Sequence, residues 1–184
     1  MKKYLWVNND KFVLYLTEKK IQTRVRQLGK HISKDYKGRI PIFIGILNGS
    51  FVFMADLLRS VSIECEVDFL KLSSYGDSKI STGNVKLLKE LNCQVDGRDI
   101  IIIEDIVDSG LSIDFMSRLI SVQNPRSVKV VSLLYKKEAI KIDVPIHYYG
   151  FVIPKYFVIG YGLDYAQKVR NLRSIYRLAD KESD

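Results

Sequence analysis

The stretch Ile100 to Ser112, IIIIEDIVDSGLS, carries the strongest chemical signal in the chain. An apolar β-branched run delivers Glu104, Asp105 and Asp108 to the edge of Ser109-Gly110-Leu111-Ser112. A strand that ends at these adjacent carboxylates, followed by a glycine turn and a helix, would aim the backbone N–H groups of residues 109–112 into one space. Such a nest at a helix N-terminus binds a phosphate dianion. Gly110 permits close backbone approach, and the hydroxyls of Ser109 and Ser112 add donors. Carboxylates beside a phosphate need partners other than the phosphate. Ribose hydroxyls and Mg²⁺ meet that need, because an ionised carboxylate only accepts hydrogen bonds and is a hard oxygen ligand. A solvated acidic turn capping a helix is the plainer reading of the same residues. Neither GxxxxGK[ST] nor GxGxxG occurs, which sets aside a Walker loop and a dinucleotide fingerprint.

The elements needed to hold these groups can be read on either side. Thr17 is a helix N-cap with Glu18 in the first turn. Ile21, Val25, Leu28 and Ile32 then form one apolar helical face, and Gly38 is the stop. Pro41 to Leu47 reads as a strand buried on both faces, punctuated by Asn48-Gly49-Ser50. A helix carrying Phe53, Leu57, Leu58 and Val61 follows. Residues 63–72 alternate, with Ile63, Cys65, Val67 and Phe69 on one side and Glu64, Glu66 and Asp68 on the other, as in a half-exposed strand. Ser73 to Gly83 is polar and long for a plain connection, which suits a lid. Ile100 to Ile103 is a second buried strand, and a helix with Ile113, Met116, Leu119 and Ile120 comes after it. Val128 to Tyr135 is a further apolar run, and Tyr148 to Tyr161 is aromatic and strand-like. This order predicts an α/β domain around a mainly parallel sheet flanked by helices.

A chain of 184 residues suits one domain, 1–184, with 47% hydrophobic and 27% charged residues. No apolar run approaches the roughly 18 residues of a membrane helix, and the first residues are too short and polar for a secretory signal. A cytoplasmic location is therefore expected. Cys65 and Cys93 form no CxxC pair and read as reduced thiols. The net charge of +8 favours anionic partners. Basic residues are scattered, without a basic run, zinc-finger spacing or RNA-binding signature, so no nucleic-acid or membrane partner is expected, and a solvated basic surface is the plainer reading of most of the charge.

Five segments together resemble the hypoxanthine-guanine phosphoribosyltransferases of the type I phosphoribosyltransferase family. They are IGILNGSFVFMADLLR (44–59), LSSYGDSKISTGNV (72–85), IIIIEDIVDSGLS (100–112), LLYK (133–136) and FVIGYGLDYAQKVRNL (157–172). The resemblance spans roughly Thr17 to Leu178. It implies the type I fold with a small hood or lid region, and transfer of a 5-phosphoribosyl group from 5-phosphoribosyl-1-diphosphate to a purine base. On that pattern Glu104 and Asp105 hold the ribose hydroxyls, directly or through Mg²⁺. Asp108 is the general base near N7, and Ser109, Gly110, Leu111 and Ser112 cradle the 5′-phosphate. Lys136 reads the 6-oxo group, Phe157 stacks on the base and the Val158 backbone reads its edge. Asp164 serves the base site and, with Glu104 and Asp105, Mg²⁺. Leu47, Asn48, Gly49, Ser50 and Arg170 bind pyrophosphate, and Ser74 and Tyr75 lie on the lid. Many relatives carry Lys where this chain has Asn48. A homodimer or homotetramer is implied as well. A xanthine- or guanine-preferring transferase and a nucleotide-responsive regulator of the same fold are the alternatives.

Overall fold

The computed structural model describes residues 2–74 and 85–180. Six strands build the large sheet: β3 (Ile42–Leu47), β4 (Glu66–Ser74), β5 (Val85–Lys89), β6 (Asp99–Val107), β7 (Ser127–Tyr135) and β8 (Tyr148–Val152). Their order is β5-β4-β3-β6-β7-β8, parallel throughout except for antiparallel β5. A second, antiparallel sheet joins β1 (Tyr4–Val7), β2 (Asp10–Leu16), β10 (Ile175–Leu178) and β9 (Val158–Ile159) in that spatial order.

The central strands are apolar because both faces are covered. Successive side chains point to opposite faces. Ile101 and Ile103 of β6 meet α1 (Glu18–Asp35) and α2 (Phe51–Leu58), through Ile21, Val25, Leu28, Ile32, Phe53 and Leu57. Ile100 and Ile102 meet α3 (Leu111–Ser121), through Ile113, Met116 and Ile120. All four isoleucines are fully buried, each contributing about 1.5–3 kcal/mol. Thr17 caps α1 as expected, its side chain accepting from Lys20 N.

Four expectations are corrected. Residues 63–72 do not alternate as read: β4 starts only at Glu66, Val67 is 45% exposed and Asp68 is 7% exposed. Asp68 is held inside by the N–H groups of Phe69, Asn92 and Cys93 and by Lys89 Nζ. Despite burial, those donors keep its carboxyl near 2. The carboxylates of β6 do not end the strand, which continues through Asp105 to Val107 because β7 pairs alongside it. Ser73 and Ser74 belong to β4 rather than to a loop, and the rest of the expected lid, Tyr75 included, lies outside the described residues. The aromatic stretch 148–161 is two strands in two sheets, β8 and β9.

Candidate active site

Parallel register brings the chemistry to one end of the large sheet. Val107 of β6 pairs with Tyr135 of β7, so Asp108 and Lys136 leave neighbouring strands at the same level. The Lys136 N–H donates to Val107 O at 2.9 Å, and Lys136 Nζ lies 2.8 Å from Asp108 Oδ2. The lysine side chain is 11% exposed and the aspartate side chain 57%. The lysine is thus largely buried, while the carboxylate of Asp108 is open to solvent.

Next to this pair, Gly110 stands at the N-cap of α3, with φ +85°. Ser109 O accepts the N–H groups of Lys141 and Ile142, which fixes the turn from outside. Leu111 N donates weakly to Ser109 Oγ at 3.4 Å. Residues 108–110, Ser112 and Ile113 line a cavity of about 70 Å³ together with Glu104, Ile106 and Val107. That is far below the roughly 300–1,000 Å³ of a drug-sized pocket and suits one small group.

Glu104 and Asp105 sit just beneath. Glu104 Oε2 is buried with no hydrogen-bond partner among the described residues. Burial, and then the neighbouring Asp105 charge, push the Glu104 carboxyl well above the usual range. Burial raises Asp105 to about 6, although the Ile106 N–H and Arg170 oppose the rise. Two desolvated carboxylates short of donors form a site for hydroxyl groups or a hard cation.

The loop after β3 closes the opposite side. Gly45 pairs with Ile103, so Leu47 stands level with Asp105 two residues on. The Leu47–Asn48 peptide is cis. A Cβ at Gly49 would overlap the Asp105 carboxylate, so only glycine fits there. The N–H and the hydroxyl of Ser50 both donate to Ile46 O, at 3.3 and 2.6 Å. The turn from β3 into α2 thus occupies both donors of Ser50.

Arg170 pairs with Asp164 at 2.7 Å, donates from Nη1 to Gly162 O at 2.9 Å, and reaches Gln167 Oε1 at 3.1 Å. Both Arg170 and Asp164 act electrostatically on Asp105, which groups them with the strand-end carboxylates. Phe157 is 46% exposed and Val158 is buried. The Phe157 ring rests on Tyr165 (5.4 Å, 77°) and Phe12 (6.0 Å), leaving an open aromatic face. Tyr165 is fixed by its hydroxyl donating to Asp10 Oδ2 at 2.8 Å. The sequence did not mark Phe12, Asp10 and Tyr165 as supports. The alternation in Asp10–Leu16 suits a strand, but nothing local signals its contact with residue 157.

A family model described as "Phosphoribosyl transferase domain" matches residues 15–166. The chain is 44% identical over 157 residues to the hypoxanthine-guanine phosphoribosyltransferase of Bacillus subtilis, covering 85% of this chain and 87% of that protein. It is 43% identical over 166 residues to the bifunctional protein TilS/HprT of Listeria monocytogenes. That match covers 90% of this chain, which spans only 26% of the relative's length. Among solved structures, a hypoxanthine-guanine phosphoribosyltransferase from Bacillus anthracis with HEPES in its active site superposes with a TM-score of 0.86. It is 39% identical, with 90% of this chain and 98% of that chain covered. A hypoxanthine phosphoribosyltransferase from Staphylococcus aureus gives 0.87 at 38% identity, with 90% of each chain covered.

Proposed function

Because the chain belongs to the phosphoribosyl transferase domain family, we propose that it moves the 5-phosphoribosyl group of 5-phosphoribosyl-1-diphosphate onto N9 of hypoxanthine, and of guanine. The products are IMP or GMP and pyrophosphate, which makes this a purine-salvage reaction of a single domain, 1–184. The observation that carries the reading is the Lys136–Asp108 pair at 2.8 Å. O6 and N7 are adjacent on the purine edge. An ammonium has donors only, so Lys136 favours the 6-oxo acceptor over the amino group of adenine. Asp108 takes the proton at N7 as N9 attacks C1′.

The remaining groups support the same chemistry. The bond from C1′ to the diphosphate breaks as the bond to N9 forms, through an oxocarbenium-like transition state with inversion. Asp108, with Glu104 and Asp105 when ionised, places negative charge near the sugar. The turn at residues 109–112 holds the 5′-phosphate, and Phe157 offers its open face to the base. Arg170, with the Gly49 turn, receives the diphosphate. The unpartnered Glu104 Oε2 and the raised carboxyls fit a Mg²⁺ site. Glu104, Asp105 and Asp164 would hold that ion, which would neutralise the leaving diphosphate. Among the described residues no three metal-ligating side chains form a cage of their own. Substrate oxygens complete such sites for Mg²⁺.

The proposal extends to a cytoplasmic homodimer or homotetramer. Among the described residues no helix is long and apolar enough to cross a membrane, and Phe51 at the start of α2 is exposed beside the Gly49 turn. The test is mass spectrometry of products after incubation with hypoxanthine, the diphosphate donor and Mg²⁺. IMP and pyrophosphate in equal amounts are expected. Their absence with every 6-oxopurine would refute the assignment.

A further inference from the structure

Asp56 is the only charged residue of α2, FVFMADLL. An acid on an otherwise apolar helix needs a partner. Its Oδ2 accepts the Tyr161 hydroxyl at 2.7 Å and also the side-chain amide of Gln22 from α1. Tyr161 is 2% exposed. It lies in a run of three left-handed residues, Gly160 (φ +92°), Tyr161 (φ +54°) and Gly162 (φ +99°). Two glycines adopt this backbone freely, but a bulky aromatic does so rarely and only when its surroundings hold it. The bond to Asp56 is such a hold.

The backbone around Tyr161 ties directly into the site. Tyr161 N donates to Leu172 O at 2.8 Å and Gly162 N to Arg170 O at 2.9 Å. The Arg170 guanidinium returns to Gly162 O at 2.9 Å. Gly162 also packs so closely on Gly49 O that no side chain would fit between them. The helix that bears Asp56 begins directly after the Asn48-Gly49-Ser50 turn. One rigid element therefore carries the Gly49 turn at its start and, one and a half turns later, the anchor of the loop that presents Asp164 and Arg170.

We propose that Asp56 is a positioning residue for the diphosphate half of the site, acting through the Tyr161 hydroxyl to hold the Asp164–Arg170 loop against the Gly49 turn. Asp56 itself touches no substrate. The inference rests on the transferase reading only for the identity of the ligand.

The test compares wild type, Tyr161→Phe and Asp56→Asn, by steady-state kinetics and by amide hydrogen exchange of the unliganded proteins. Tyr161→Phe should raise KM for 5-phosphoribosyl-1-diphosphate by up to about 10- to 150-fold, the scale of one hydrogen bond to a charged group, with KM for hypoxanthine nearly unchanged. Exchange should quicken in residues 160–172 and stay constant in residues 100–112. Asp56→Asn keeps an oxygen that can accept the tyrosine proton, so it should lie closer to wild type than Tyr161→Phe. A Tyr161→Phe variant that melts earlier but keeps its donor KM and its exchange pattern would overturn the proposal, as would equal rises in both KM values. If wild type forms no nucleotide, the transferase reading fails, and unchanged exchange in residues 160–172 would still overturn the role of Asp56.

Discussion

Replacing Lys136 with Met removes one ammonium and little else. The lysine side chain is 11% exposed, so its stem packs like an apolar side chain, and Met keeps most of that volume. Its partner Asp108 is 57% exposed, so water solvates the carboxylate once the cation is gone. No buried charge is orphaned, and exchanging a desolvated ammonium for a thioether is close to neutral for stability. The loss should therefore appear in substrate recognition. A charge-assisted hydrogen bond to the 6-oxo group is worth about 1.5–3 kcal/mol, or roughly 10- to 150-fold in kcat/KM for hypoxanthine. On the proposed reading the donor meets other residues, at 104–112, Gly49 and Arg170, so its KM should hardly move. The assay is the initial rate by ultraviolet absorbance, varying each substrate at saturating levels of the other, with a thermal melt of both proteins. Equal losses for base and donor would refute the placement of Lys136, and so would an unchanged hypoxanthine kcat/KM.

The same geometry sets further outcomes. Asp108→Asn preserves size but cannot take the N7 proton, so single-turnover rates should fall by about 10²–10⁴-fold while donor affinity holds; wild-type single-turnover rates would leave Asp108 only a role in shaping the phosphate turn. Burial holds Asp105 at about 6 and Glu104 well above its usual range. A carboxyl whose folded value is raised favours the folded state below its unfolded value of about 4, and this stability is lost as pH rises through about 6. The ligand-free protein should thus melt at a lower temperature near pH 7.5 than near pH 5, and Mg²⁺ with the donor should narrow the gap. Asp68, lowered to about 2, acts only in more acid solution and does not disturb this window. A melting temperature that rises across the same range would contradict the burial of the pair. Light scattering at micromolar concentration should give a dimer or tetramer, and a strict monomer would rule out the proposed assembly.

The parts of the fold legible in the sequence are those specified by nearest neighbours. Ile100 to Ile103 read as a doubly covered strand because the helices on both faces leave no polar position. Gly110 and the hydroxyls beside it mark the start of α3. What escapes a local reading is set by distant contacts. Asp68 looks solvent-facing because its donors, Asn92 and Cys93, lie more than twenty residues away. Glu104 and Asp105 look like a strand terminus because β7, which extends the pairing past them, is a separate segment. The small sheet joins β2 to β10 from opposite ends of the chain, and Phe12 supports Phe157 across that junction. Ser50 matches the expected turn by type, yet the carbonyl of Ile46 decides where its donors point.

On the proposed reading the Lys136–Asp108 pair selects 6-oxopurines for phosphoribosyl transfer. Its most direct test is kcat/KM for hypoxanthine, guanine, xanthine and adenine, measured side by side with the same donor and Mg²⁺. Hypoxanthine and guanine should be turned over and adenine disfavoured by at least about 10³-fold, because an ammonium offers its amino group no acceptor. Adenine used as readily as hypoxanthine would contradict it.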